Sequence, residues 1–419
     1  LFYMLSGMVD TLMLSAVGDY TVGAVGTANS YIGIFIIMFS IISSGMVSVM
    51  TQNIGAGRPG VAYQARQLGL LFNAVAGVLM AAFLFSGAGA ILRMVGIADA
   101  LYEPAMIYLK IVGGGCILNA VIPIFSSYLR AFGYTKQPLY ATIVGNIANF
   151  VMNAVFLFVL HKGVAGVATA TVISKILNLC IVLYFSHKLI SAKNSTERIA
   201  NKTVLGQIVK VGLPSACETA LYNVAMMLVI RFLNQMDAEG LNVTARSYTA
   251  TISNFSYCVG AALAQANAIM TGWHIGAGKL EECDRGTKRA AFVGVCVAVC
   301  METAIVLGSG FIMPLFTDNP EMTALVRKLL AIDIVLEIGR VTNLVFGQAL
   351  KTSGDAVFPA VIAAVFMFVF AVGGTWLFGI SMGLMAVGAY IGLASDECVR
   401  AVGMVWRWKT GKWRTKKLV

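Results

Sequence analysis

The sequence predicts an all-α polytopic membrane protein, with twelve transmembrane helices in two matching six-helix bundles. Three observations carry that expectation. The chain is 58% apolar and only 12% charged, it holds long uncharged windows, and its motifs recur at a nearly fixed spacing. Soluble domains carry about 25% charged residues, whereas mean hydropathy here is +0.82. A run of roughly 20 apolar residues suffices to cross a bilayer as a helix; Leu70–Ala90 and Val357–Gly379 are two such runs.

Taken in order, spans are expected at 1–16, 22–50, 66–91, 103–129, 137–160, 163–187, 204–233, 241–271, 288–314, 321–350, 356–379 and 382–406. Residue 1 falls inside an apolar segment too short to span. It has no charged leading region and no small-residue cleavage site, so it reads as a truncated first helix and not as a signal peptide. Alternate loops collect the basic residues. One side holds Arg58, Arg66, Arg130, Lys136, Lys188, Lys193, Arg198, Lys202, Lys279, Arg285, Lys288, Arg289, Lys351 and the tail RWKTGKWRTKKLV. The other shows only Arg93, Lys162 and the Arg327–Lys328 pair. The positive-inside rule makes the first side cytoplasmic, in a bacterial-type plasma membrane. The net charge of +11 then orients the chain and meets anionic headgroups, and does not point to nucleic acid. Trp406, Trp408 and Trp413 are expected as interface anchors.

The halves are duplicates. Ile54-Gly-Ala-Gly57 recurs as Ile275-Gly-Ala-Gly278, and Leu129-Arg-Ala-Phe-Gly133 with Pro138 recurs as Leu350-Lys-Thr-Ser-Gly354 with Pro359, both at a shift of 221. Thr27-Ala-Asn-Ser-Tyr31 matches Thr244-Ala-Arg-Ser-Tyr248 at 217, and GVAGVATA from Gly163 matches GLMAVGAY from Gly383. Six spans return the chain to its starting side, so the copies insert in parallel about an axis along the membrane normal. The lobes are expected at 1–187 and 204–419, joined by a polar cytoplasmic linker at 188–203.

Several chemistries are excluded. The cysteines and three histidines show no metal-ligand spacing. Gly272-Trp-His-Ile-Gly-Ala-Gly-Lys279 has the wrong glycine spacing for a nucleotide loop, with Leu280 where Ser or Thr is needed. IGAGR and IGAGK read instead as tight turns. No cluster of nucleophile and base suggests an enzyme, and no cofactor is expected beyond a coupling ion. A gradient-driven carrier is therefore favoured over an ATPase.

Such a carrier needs ionisable or oxygen-rich groups inside the membrane, where an acid costs about 2.5–3.5 kcal/mol. Asp10, in GMVDTLML, is isolated by several turns from any other charge. In GNIANFVMNAVFLF, Asn146, Asn149 and Asn153 fall on one helical stripe, and Thr171 lies mid-span on the next helix. Asp10, Asn149, Asn153 and Thr171 together could form a Na⁺ shell or a proton site. The asparagines have a second reading as glue between helices. In the second half, Glu218 follows a proline and reads as a contact for a cationic substrate, as a titrating group or as a solvated interface group. Asp333, Glu337 and Arg340 share a helix face, and an internal ion pair is the conservative reading there, as it is for Asp396 and Arg400. Glu302 has no partner visible in the sequence, and Lys175 and Arg231 read either as partners of the acids or as side chains snorkelling to the interface. The 21 Met and 23 Phe suit a loose multi-substrate pocket or simply face lipid.

These residues carry a resemblance to the MATE (multidrug and toxin extrusion) family over nearly the whole chain. It rests on VDTLMLSAVGDYTVGAVGTA from Val9, TQNIGAG from Thr51, LRAFGYTKQP from Leu129, GNIANFVMNAVFLF and GVAGVATATVIS, then GLPSACE and GRVTNLVFGQALKTSGD. The resemblance implies two bundles about a central cleft and antiport of H⁺ or Na⁺ against cationic, amphipathic drugs, by a monomer. It implies a first-lobe cation site at Asp10, Asn149, Asn153 and Thr171, where Asn153 replaces the acid usual in the family. In the sodium-coupled branch a further acid lies on helix ten, and Arg340 stands near that place, so that site is not carried over. The alternative is a lipid-linked oligosaccharide flippase of the same superfamily, which calls for a strongly cationic cavity.

Overall fold

A computed structural model of the chain describes residue 13 and residues 19–95, 99–190, 197–237 and 240–419. No strand occurs among the described residues. The helices are α1 (Asp19–Gly55), α2 (Pro59–Val95), α3 (Asp99–Gly114), α4 (Cys116–Ala131), α5 (Lys136–Ala154), α6 (Gly163–Leu189), α7 (Asn201–Met236), α8 (Leu241–Gly276), α9 (Leu280–Ile312), α10 (Pro320–Thr352), α11 (Val357–Phe366) and α12 (Met385–Lys409). Wide π-type turns extend α5 through Val155–Val159 and α11 through Met367–Val372 and Thr375–Ser381. The expected first span, Asp10 included, lies outside the described residues apart from Met13.

The expected fourth span is two helices, α3 and α4, bent by 41° at Gly115. Three successive glycines, Gly113 to Gly115, leave the backbone there without side chains to hold it straight. Other helices run past the bilayer. The 37 residues of α1 reach about 55 Å at about 1.5 Å per residue, against a hydrocarbon core of about 30 Å. Starts follow local chemistry: Pro320 opens α10, and the Asn319 Oδ1 before it accepts from the backbone N–H groups of Glu321 (2.9 Å) and Met322 (3.3 Å).

Seven described helices, or eight counting the bent pair, are long and apolar enough to cross a membrane. The outward face of α2, with Leu71, Val75, Leu79 and Phe83 exposed, is what lipid would cover. The span-length helices that fall short are α8, α10 and α12. They bury one another, since α10 packs against α8, α9 and α12. Polar faces that lipid would reject are thus turned inward.

Two compact units result, residues 1–50 with 58–212 and residues 51–57 with 213–419. The division falls inside α7, beyond the polar stretch 188–203. The far end of that stretch is pinned: Gln64 Nε2 donates to the Ile199 carbonyl (2.7 Å), and Ile199 N–H donates to Gln64 Oε1 (3.2 Å). In the first unit the core gathers Phe39, Leu84, Leu109 and Leu157. There α1 and α7 touch backbone to backbone: a Cβ on Gly212 would stand 1.8 Å from the Ile41 carbonyl oxygen. In the second unit the end of α1 meets α8 in the same way, and a Cβ on Gly276 would stand 1.9 Å from the Gln52 oxygen.

The repeat is visible in the turns. Gly57 and Gly278 adopt φ of +75° and +73°, and Gly133 and Gly354 adopt +86° and +96°. These left-handed conformations strain any residue with a Cβ, which is why the motif keeps glycine at both places.

The C-terminal tail corrects one expectation. Trp408 and Trp413 are buried and stack at 4.2 Å, while Trp406 is exposed. Trp408 Nε1 donates to Asp284 (2.7 Å) and Trp413 Nε1 to the Trp408 carbonyl (3.0 Å). With indole donors satisfied inside the protein, these two rings are core and not interface anchors. Beyond them Arg414 pairs with Glu281 at 2.6 Å, and Leu418 N–H donates to Gln52 Oε1 at 2.7 Å.

Candidate ion and substrate site

Each unit holds its own polar interior. In the first, α5 presents Asn149 and Asn153, both buried, with Asn153 Nδ2 donating to Asn149 Oδ1 at 3.3 Å. Thr171, half-buried on α6, donates its hydroxyl proton to the Val167 carbonyl at 2.9 Å, which leaves its oxygen as an acceptor. Asp10, the acid expected to join them, is outside the described residues.

The second unit gathers charge. On α10, Asp333, Glu337 and Arg340 lie one turn apart on one face, as their spacing requires. Asp333 is 3% exposed and Glu337 fully buried. Arg340 pairs with Glu337 through Nη1, and its Nε lies 3.8 Å from Glu397 Oε1. Arg400 on α12 grips Asp396 with two bonds (3.0 and 2.7 Å) and reaches Glu397 at 2.8 Å. Asn343 Nδ2 donates to the other Glu397 oxygen at 3.0 Å. Glu302, fully buried on α9, has Asp333, Glu337 and Ser256 as polar neighbours. Both Glu302 oxygens, Asp333 Oδ2 and Glu337 Oε2 are buried without a well-formed hydrogen bond.

The internal pair foreseen at Glu337 and Arg340 is present, and so is that at Asp396 and Arg400. What spacing did not reveal is that both pairs and Glu302 form one cluster. Glu397 was missed although it stands three residues before Arg400, the same signal that marks Asp396. The place on helix ten where Arg340 stood is shared by two acids on the same face. Glu218 is held by Lys351 at 2.7 Å and lies within electrostatic reach of Arg400 at the edge of this cluster. Arg231 is exposed, and Lys175 lies beside Cys116 in the first unit.

Within the second unit a cavity of about 350 Å³ opens onto this cluster. Asp333, Arg340, Asp396 and Glu397 line it together with Tyr222, Tyr257 and Tyr390, Met226 and Arg246. The Arg340 guanidinium lies 5.7 Å from the centre of the Tyr257 ring. Aromatic faces, a thioether and carboxylates in one lining suit a ligand that is apolar and cationic at once.

The sequence matches the MatE family over residues 1–155 and 214–377. It is 33% identical over 420 residues to an uncharacterized transporter, YisQ, of Bacillus subtilis (strain 168), covering 99% of this chain and 92% of the relative. A probable multidrug resistance protein, NorM, of Thermotoga maritima is 20% identical over 429 residues, covering 99% of this chain and 90% of that one. Among solved structures, a MATE in its straight conformation superposes with a TM-score of 0.87 at 21% identity, covering 99% of this chain and 93% of the other. The chain belongs to the MATE family of multi-pass membrane transporters and has the all-helical fold of that family.

Proposed function

We propose that this transporter is a secondary antiporter of the cytoplasmic membrane, exporting cationic, amphipathic drugs or toxic metabolites in exchange for H⁺ or Na⁺. One observation carries the reading, the charge balance buried in the second unit. Among the described residues, five buried acids of this interior, Glu302, Asp333, Glu337, Asp396 and Glu397, outnumber its three arginines, the ion-paired Arg340 and Arg400 and the cavity-lining Arg246. Carboxylates left over in a low-dielectric interior are met by a mobile cation, a proton or a metal ion. A site of that kind is loaded and unloaded as its exposure changes sides. The tyrosine-rich cavity beside it lets an organic cation and the coupling ion compete for the same carboxylates. An acid excess does not suit a lipid-linked oligosaccharide, so the flippase alternative is not favoured.

Asp10 with Asn149, Asn153 and Thr171 is retained as a first-lobe coupling site. The two lobes rock as one monomer to alternate access, with linker and tail on the cytoplasmic side.

Everted vesicles with ΔpH and ΔNa⁺ imposed separately test the reading. Joint Glu302→Gln and Asp333→Asn replacement should abolish gradient-driven uptake of a cationic dye, and Asp10→Asn should reduce it severely. Wild-type uptake indifferent to both gradients, or a double variant that still concentrates dye, overturns the antiport reading.

A further inference from the structure

Arg66 on α2 is a cation of the first unit that the transport reading leaves unused. Its guanidinium carbon stands 4.4 Å from the centre of the Tyr63 ring, 4.9 Å from that of Tyr128 and 5.5 Å from that of Phe125. Three rings from α2 and α4 thus surround one charge. Arg66 forms no ion pair or hydrogen bond among the described residues, and its Nε–H is buried without an acceptor. Tyr128 is 1% exposed, and its hydroxyl is also buried without a hydrogen-bond partner. Two donors in one aromatic box are therefore short of an acceptor, and one of them is permanently charged.

The depth of the box limits what can reach it. The exposed apolar face of α2 begins at Leu71, and Arg66 lies about 7.5 Å nearer the start of the helix, at about 1.5 Å per residue. Arg66 is half-buried and Gln67 beside it is exposed, so the box opens where an apolar band gives way to headgroups. Arg58, Arg198 and Lys202 are exposed around the same end of α2, where Gln64 holds Ile199, with Glu197 as the acid among them. The second half closes the matching place with its own side chains. At the shift of 221, Tyr63, Arg66, Phe125 and Tyr128 become Asp284, Thr287, Phe346 and Ala349. There the Trp408 ring lies 5.9 Å from that of Phe346, and its Nε1 donates to Asp284 at 2.7 Å.

We propose that the Arg66 box binds the phosphate of an anionic phospholipid from the surrounding membrane. A phosphate diester supplies the acceptor oxygens that Arg66 and Tyr128 lack, and a guanidinium fork matches its geometry. Cation–π contact holds the guanidinium in place without neutralising it, so its charge stays available to an anion. The exposed basic rim adds the attraction of clustered Lys and Arg for an anionic leaflet. A soluble phosphate ester shares the phosphate and lacks the acyl chains, for which the exposed Leu71 and Val75 offer an apolar face. That face favours the lipid.

The test uses the purified full chain, stripped of lipid in detergent. Phosphatidylglycerol and phosphatidylcholine are added back separately, and bound lipid is counted by native mass spectrometry. Wild type should hold a phosphatidylglycerol more tightly than phosphatidylcholine. Arg66→Gln should weaken it by about tenfold, the scale of one charge-assisted hydrogen-bonded contact. Arg66→Lys keeps the charge and loses the fork, so it should fall between. Arg58→Gln removes an exposed charge of the same rim and should cost much less. Melting in lipid-free detergent reports whether each variant is folded, and the lysine variant carries the test should glutamine disturb the fold. Equal losses in Arg66→Gln and Arg58→Gln, or glutamine and lysine variants that both bind like wild type, overturn the assignment. So does displacement of the lipid by glycerol 3-phosphate at equal concentration, which would make the ligand a soluble phosphate ester.

Discussion

The two halves keep the same turns and differ in what they bury. Gly133 N–H donates to Arg130 O at 2.9 Å and Gly354 N–H to Lys351 O at 3.0 Å. Tyr134 N–H and Asp355 N–H likewise reach back to Leu129 and Leu350, at 2.9 and 3.0 Å. Yet the described interior of the first unit is polar through amides, Asn73, Asn149 and Asn153, while that of the second is polar through carboxylates and guanidinium groups. A duplicated frame is fixed by backbone geometry, which tolerates little change. Among the described residues its buried polar groups are amides and hydroxyls in the first unit and include ionisable side chains in the second.

The largest effect that would sharpen this contrast comes from Arg400. Replacing it with methionine leaves Asp396 and Glu397 buried without their principal partner. Removing one member of a buried ion pair typically costs about 3–5 kcal/mol, so Arg400→Met should lower the melting temperature of the purified protein sharply. Restoration of stability by Asp396→Asn in the same chain would tie the loss to stranded charge. Were Arg400→Met to melt like wild type, the cluster would not be the structural hub described.

Smaller and equal in both halves should be the cost of crowding the frame. Gly212→Ala and Gly276→Ala each drive a methyl group into a carbonyl oxygen, of Ile41 and Gln52 respectively. Overpacking of this kind typically costs about 1–3 kcal/mol. Similar losses of melting temperature support a shared frame. A large loss in one and none in the other breaks the comparison at its base.

Lower again is an amide. Asn73 on α2 donates to Phe39 O on α1 (3.3 Å) and to Ala120 O on α4 (3.0 Å), stitching three helices. Interhelical hydrogen bonds in membranes average about 0.6 kcal/mol and reach about 1.7. Asn73→Ala should fall in that range by thermal melting, well short of Arg400→Met. A loss as large would mean that amides in the first unit carry as much as charges in the second.

The frame was legible because its signals are local. Turn glycines must sit where the backbone turns left-handed, and apolar runs must be long enough to span, so both repeat and spans could be read residue by residue. The pairs on α10 and α12 were legible for the same reason, being one helical turn apart. The site was not, because Glu302 joins Asp333 and Glu337 only through the packing of α9 on α10. Nothing in VCMETAIV marks which helix it meets. Likewise the tail reads as a basic, tryptophan-rich membrane anchor until Asp284 and Asp355, 124 and 52 residues from Trp408 and Arg407, are seen to receive it.

Asp355 gives the finest form of the contrast. It occupies the place that Tyr134 holds in the first half, just after the left-handed glycine. Tyr134 sends its hydroxyl to the Leu189 carbonyl at 3.3 Å. Asp355 instead takes Arg407 at 2.7 Å and Lys416 at 2.9 Å, and so ties the tail to the α10–α11 turn. Burial alone would raise the Asp355 carboxyl, but the hydrogen bonds and charges of Arg407 and Lys416 outweigh it and hold it below its ordinary value. A carboxyl depressed in the folded state contributes stability that is full above its unfolded value, about 3.9, and lost as pH falls through the lower folded one. The tail should therefore stay docked near neutrality and loosen only as pH falls below the ordinary carboxylate value of about 3.9. The readout is the fluorescence of the stacked Trp408–Trp413 pair. Asp355→Asn should show at neutral pH the weakened docking that wild type shows in acid, and should flatten the acid transition. An acid transition of the same size in that variant would assign it to another carboxyl, and the tyrosine and aspartate turns would then be equivalent in their response to pH.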